Sequence, residues 1–399
     1  MPQIRPFRAF RYSDGLRKQL SRLVCPPYDI ISAKEQKSLL KRHVGNMVHV
    51  ELPPGPGLKK YAYAAKVLKR WIASGIFVRE KNPAFYFYEA TFASLGKPSK
   101  TLVRRGFYAA LRQVPWGRGV YPHEKTLPTA KADRLRLFKA LHVQTSSVQC
   151  MFHDPAGAGQ KMIDSVCRRR PDWDFSDDKR VRHRVWIVTD PRDIRRITRL
   201  MVRRDAVIAD GHHRYETMRV YGKEMGGLAA RHTMTYFSSA ADKGLEVMAT
   251  HRAVDPSKKQ FVQLERWGRL IPIRDYRQWV KSKSADPRDV CVFLKGKSYV
   301  FRFRRIPSGL KGTPAARLAV ACLHAGPLDG LGKEDFFFTR DAVEAARWAT
   351  RCGGWAFFVK PLSVQDIVDV ARAGQVLPPK STYFYPKLPS GLALYPLKG

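Results

Sequence analysis

The chain reads as a mixed α/β (α+β) protein of two domains, and three observations predict this. Strand-like and helix-like segments alternate along the sequence; 399 residues exceed the usual size of a single domain; and residues 206–225 read as a strand, a glycine turn and a helix. The boundary is placed near residue 230. This gives a motif-bearing domain over 1–230 and a second α+β domain over 231–399, whose extended tail is expected to pack back.

Taken in order, residues 24–32 form a turn set by Pro26 and Pro27, with Asp29 held on it and Ser32 as N-cap of a helix over 33–41. Residues 47–52 read as a strand with Glu51 near its end. The Pro/Gly-rich 53–57 follows, and 61–74 is an amphipathic helix stopped by Gly75. Segments 85–92 and 101–111, separated by a Gly/Pro/Ser turn, form a hairpin. The proline-flanked loop 119–128 presents His123, Glu124 and Thr126. It leads into a helix over 129–142 that opens with Lys131, Asp133 and Arg134 and carries Leu135, Phe138 and Leu141 on its apolar stripe.

Residues 149–153 and 185–188 read as strands, 191–201 as a helix, and Arg168, Arg169 and Arg170 as a solvated basic turn. Past Gly227, 233–237 is a short strand, and 245–252 is an apolar run ending in His251 and Arg252. Segments 290–294 and 299–303 bracket a Lys-Gly-Lys-Ser turn and predict a hairpin. The tail 378–389 is too proline-rich for a regular strand or helix. It is expected to run extended with its aromatic residues inward and Lys380 and Lys387 available to anions.

Lys and Arg number 73 against 34 acids, a formal charge of +39. That excess attracts phosphorylated small molecules or nucleic acid without choosing between them. The bases are interleaved with aromatic and aliphatic residues, which argues for folded, basic-faced structure over a disordered arm. Six cysteines without CxxC spacing, and the lack of any apolar run of 18 residues, predict a soluble cytoplasmic protein with reduced thiols.

The densest chemistry lies at Asp210, Gly211, His212, His213 and Arg214. Helix N-terminal amides attract anions, and the cationic side chains there would add donors to the same concavity. Without an anionic partner, each cation at that end opposes the helix dipole by about 0.3–1 kcal/mol. Two plainer readings stand beside this one. Asp210 could simply cap the helix; or His123, Asp210, His212 and His251 could hold a metal, although adjacent histidines on a helix point about 100° apart.

Together, CPPYDIIS, HVELP, YPHEKTLPTAKADRL, VIADGHHRYET, THRAV and PPKSTYFYPKLPSGL resemble, in order and over nearly the whole chain, the prokaryotic family called domain of unknown function 1015. Cys25, Met248 and the heavy Arg/Lys loading depart from that pattern without removing a polar motif residue. The DGHHR element also resembles the phosphate-contacting motif of the ParB/sulfiredoxin fold, which includes nucleotide-binding partition proteins and free-serine kinases.

That resemblance implies a phosphate site lined by Asp210, Gly211, His212, His213 and Arg214, with Asp210 as a Mg²⁺ ligand or proton acceptor and a nucleotide, ATP or ADP, as co-substrate. His123, Thr126, Lys131 and Arg134 are further phosphate contacts, and Tyr28, Asp29, His251 and Arg252 substrate contacts. Glu51, Glu124 and Asp29 are the candidate bases, unranked. The implied activity is phosphoryl transfer to a small hydroxylated substrate such as serine. A nucleotide- or nucleic-acid-binding regulator and a metal-dependent hydrolase are the alternatives.

Overall fold

Aromatic and β-branched residues on either side of a Gly/Pro/Ser turn make 85–112 a long hairpin, and its two strands sit at the heart of a mixed sheet. The computed structural model describes residues 2–124, 129–284 and 286–398, with the side chains of 129–131 and 259–261 excepted. The chain divides into two compact units. Unit 1 comprises Met1–Tyr121, Thr126–Glu246 and Pro386–Gly399; unit 2 comprises Pro122–Lys125 and Val247–Tyr385.

The main sheet of unit 1 has nine strands: β1 (Ile4–Arg5), β2 (Phe85–Ala93), β3 (Thr101–Arg112), β4 (Val120–Tyr121), β5 (Val148–Phe152), β6 (Trp173–Ser176), β7 (Arg182–Val188), β8 (Ala206–Asp210) and β9 (His232–Ser239). Their order is β4-β8-β5-β9-β3-β2-β7-β6, with β1 on β3. β8 runs parallel to β4 and β9 parallel to β5, while the other pairings are antiparallel.

The two faces of this sheet differ. Phe85, Phe87, Phe107, Cys150, Phe152 and Phe237 build the apolar face, packed with Met162 and Ile163 of the Ala158–Cys167 helix and with Ile197 and Met201 of the Pro191–Val202 helix. Successive strand residues point to opposite faces, so the register puts Tyr86, Tyr88, Arg104, Tyr108, Tyr236 and Gln149 on the other side. All six are buried. Gly106 fits between them because a Cβ there would lie 2.5 Å from the Tyr236 ring.

Unit 2 contains a six-stranded antiparallel sheet in the order Gly268–Ile273, Lys297–Phe303, Val290–Leu294, Trp355–Phe358, His251–Val254 and Phe336–Thr339. Its hairpin turns at Lys295 and Gly296, with φ of +49° and +76°, as the Lys-Gly signal predicts. Ala345, Ala346 and Ala349 of the Ala342–Cys352 helix pack in a cluster with Tyr276 and Phe358.

Three segments differ from the sequence reading. Residues 47–52 are not a strand: Val48–Glu51 is a short helix, because Asn46 Oδ1 accepts the Val48 N–H at 3.0 Å and the Met47 N–H is fixed to the Leu23 carbonyl at 2.7 Å. Tertiary hydrogen bonds override the β preference of the two valines. The 24–32 turn, read from its prolines as an extended one, includes a 3₁₀ turn at Tyr28–Ile30. The tail carries a short strand, Tyr383–Tyr385, despite its prolines. Among the described residues no helix is long and apolar enough to cross a membrane.

Candidate functional site

β8 ends at Asp210, Gly211 reverses the chain at φ +88°, and the His212–Met225 helix begins at once. The reversal folds the Arg214 side chain back over the turn, so closely that a Cβ on Gly211 would lie 3.0 Å from Arg214 Nε. Arg214 is buried, and donates from Nη2 to Asp210 Oδ2 and from Nη1 to the Ser147 carbonyl. Asp29 Oδ2 stands 3.9 Å from Nη2. The second Asp210 oxygen accepts from Lys387 Nζ at 2.6 Å.

Burial by itself would push the Asp210 carboxyl up. Lys387 and Arg214 outweigh it and hold the group well below the usual carboxylate range. Burial likewise disfavours the Arg214 charge, and the carboxylates of Asp210, Asp29 and Glu51 overcome it, so the guanidinium stays charged. His212 is buried and adds to the positive field on Asp210. His213 is half-buried on the same first turn, and its carbonyl accepts from Thr217 Oγ1 at 2.8 Å.

The 24–32 turn and the Val48–Glu51 helix supply the other wall. Glu51 is fully buried; its Oε1 accepts the Tyr28 N–H at 3.3 Å, and its Oε2 has no hydrogen-bond partner among the described residues. Arg134 stacks on the Tyr28 ring, 4.1 Å from its centroid, and donates to the Glu51 carbonyl at 2.6 Å. Its remaining donors meet Asp133, which also accepts from Lys60 at 2.6 Å and Tyr61 at 2.8 Å. Burial raises the Tyr28 phenol to about 12 against the pull of Arg214, so it stays neutral.

Unit 1 therefore brings together Tyr28, Asp29, Glu51, Arg134, Asp210, Gly211, His212, His213 and Arg214. Of the remaining expected residues, His123, Glu124, His251 and Arg252 lie in unit 2. There Arg252 is fully buried and donates to His324 Nε2 at 2.8 Å and to the carbonyls of Thr250 and Lys380 at 2.8 and 3.1 Å. Burial lowers it to about 9, with Glu124 opposing. Glu124 Oε1 accepts the Lys380 N–H at 2.9 Å, and His123 Nε2 pairs with Thr382 Oγ1 at 2.8 Å. His251 is pushed down to about 4 by burial and by Arg252. Thr126 lies outside the described residues, as does the side chain of Lys131.

The sequence reading missed Arg104 and Lys60. It gave Lys387 only as an anion ligand, whereas here the lysine meets Asp210. A signal for Arg104 existed: an arginine set inside a segment that reads as a strand. No metal-binding group of three or more His, Cys, Asp or Glu occurs among the described residues.

No curated protein matches the chain. Solved structures similar to it include a free serine kinase in complex with AMP, at 12% identity, covering 73% of this chain and 91% of that one, with a TM-score of 0.41. A conserved hypothetical protein from Pyrococcus furiosus shows 12% identity, 72% and 94% coverage and a TM-score of 0.36. SbnI with C-terminal truncation from Staphylococcus aureus shows 12%, 73%, 87% and 0.39. The family model described as "Protein of unknown function (DUF1015)" matches residues 4–321, well over half of the sequence, and the chain belongs to that family.

Proposed function

We propose that unit 1 binds a nucleotide, ATP or ADP, at the 211–214 turn and transfers a phosphoryl group to a small hydroxylated acceptor such as serine. The observation that carries this reading is Glu51: a fully buried carboxylate with one oxygen unpartnered, in the field of a buried, charged Arg214. An unsatisfied buried carboxylate oxygen is costly unless a ligand group completes it.

Glu51 is the general base in this reading. Its Oε2 takes the proton of the acceptor hydroxyl while that oxygen attacks the terminal phosphorus. The P–O bond to the shortened nucleotide breaks, and that nucleotide leaves with the bonding electrons. Arg214 faces the charge that builds on the transferring group, and the helix N-terminal amides of 212–214 add to it. His212 and His213 stand on the same turn as phosphate contacts, and Arg134 fixes the Tyr28–Glu51 wall.

Asp210 acts here as the clamp that holds Arg214 and Lys387. Both of its oxygens are engaged, so it does not fit the expected roles of Mg²⁺ ligand or proton acceptor, and no step is routed through a metal. Asp29 is partly exposed and Glu124 is bonded to the Lys380 amide in unit 2, which leaves Glu51 the best-placed base.

The test is a phosphate-transfer assay with ATP or ADP and serine on the full chain and on Glu51→Gln. The variant should lose about 10²- to 10⁴-fold in rate while keeping nucleotide affinity. A Glu51→Gln enzyme of normal rate, or a wild-type chain that binds no nucleotide, would sink the reading. Steeply salt-dependent DNA binding in place of nucleotide binding would favour the regulator instead.

A further inference from the structure

The polar face of the unit 1 sheet holds a second cationic centre that the phosphoryl-transfer reading does not use. Arg104 is the fourth residue of β3 and has no exposed surface, and its Nη1 donates to the Pro386 carbonyl at 2.7 Å. Its Nε and Nη2 find no hydrogen-bond partner among the described residues. These two atoms form the side-on edge of the guanidinium, the fork that matches the two oxygens of a carboxylate or phosphate.

The surroundings fit a bound anion. The register places Arg104, Gly106 and Tyr108 of β3 on one face with Tyr88 of β2 and Tyr236 of β9, and Arg104 stands 5.8 Å from the Tyr236 ring centroid. Burial drives all three phenols far up, so they stay neutral and do not compete with a ligand's charge. Tyr88 Oη pairs with His183 Nδ1 at 2.8 Å, and Tyr236 Oη donates to the Tyr88 carbonyl at 3.4 Å. Gln149 pairs with Tyr236 and Ser238 lies two residues on, and both are buried with an unpartnered atom, Nε2 and Oγ. Orphaned donors gathered on one buried face are a cost that an oxyanion would remove.

The face also adjoins the phosphate turn. A row of paired residues runs Tyr108, Tyr236, Gln149, Asp210 across β3, β9, β5 and β8. The tail spans the same gap, because Pro386 meets Arg104 while its neighbour Lys387 meets Asp210.

We propose that Arg104 recognises a small oxyanion, a carboxylate or a phosphate monoester, carried by the acceptor at the end remote from its reacting hydroxyl. Assigning the oxyanion to the acceptor rests on the phosphoryl-transfer reading; its recognition by Arg104 does not.

The test is calorimetry on the full chain with L-serine, glycerate, serinamide, inorganic phosphate and ADP, for wild type, Arg104→Gln and Arg104→Lys. Serine and glycerate should bind where serinamide does not, and Arg104→Gln should weaken them by about 10- to 100-fold with ADP affinity unchanged. Tight binding of phosphate in place of the carboxylates would identify the oxyanion as a phosphate. Arg104→Lys keeps the charge but loses the fork, so it should fold and still bind poorly, which covers the case of an unfolded Gln variant. Equal affinities in wild type and variants, or a wild type that binds none of these oxyanions, would overturn the proposal and leave Arg104 as a staple for the tail. Arg104-dependent glycerate binding in a chain that ignores ADP would keep this site and remove the phosphoryl-transfer reading.

Discussion

Arg214 in unit 1 and Arg252 in unit 2 are both buried guanidiniums, yet their environments treat the charge in opposite ways. Arg214 bonds directly to a carboxylate and has a second one 3.9 Å away, and it is held charged. Arg252 meets two carbonyls and an imidazole, and its pKa falls to about 9. A buried cation is stable where a counter-charge offsets its lost hydration; dipoles compensate only in part. Unit 1 thus holds a charge paired with carboxylates, and unit 2 holds one that meets mainly dipoles.

The largest expected effect tests that contrast directly. Arg214→Met leaves Asp210 buried with Lys387 alone and should cost about 3–5 kcal/mol in chemical denaturation. Arg252→Met loses bonds to carbonyls but removes a poorly compensated charge, and should cost about 1–2 kcal/mol. Equal losses would erase the distinction between the two units.

The pH dependence of stability sharpens it. His251 titrates near 4 in the fold, below its ordinary value, so the unfolded chain takes up a proton first as pH falls. His251 should therefore contribute a drop of about 2–3 kcal/mol between roughly pH 6.5 and 4, alongside His232 and His324, which burial lowers too, and His251→Gln should remove that share of the limb in thermal unfolding. Asp210 has the same sense in a lower window: its folded pKa is depressed too, so its contribution is present above roughly pH 4 and is lost only as pH falls further. An Asp210-dependent loss already at pH 6 would contradict the pairing with Lys387 and Arg214.

The smallest effect concerns the turn itself. Gly211→Ala requires a left-handed conformation and crowds Arg214, and should cost about 1–2 kcal/mol together with weaker nucleotide binding. Unchanged stability and binding would show that the compact Asp210–Arg214 pair does not depend on the reversal.

Much of unit 1 was legible beforehand. The 85–112 hairpin, the helix capped by Ser32 and the 206–225 strand-turn-helix follow from periodicity, a capping hydroxyl and one glycine, all local signals. Glu51 was singled out as a base, but on a strand that is in fact a helix, since Asn46 and the Leu23 carbonyl, and not the valines, set the local backbone. Lys387 was visible as a tail cation, though its partner, 177 residues away, was not.

By itself the sequence determined the mixed α/β class, the basic surplus and the crowded Asp-Gly-His-His-Arg turn, because secondary structure and net charge are properties of short windows and sums. Only the tertiary structure decided which charges are paired. Arg104 and Arg105 are neighbours in sequence, yet strand alternation sends one to a buried tyrosine face and the Pro386 carbonyl and the other to Glu89 and Asp164. Counter-charges come from remote segments, and burial converts such a pairing, or its absence, into chemistry.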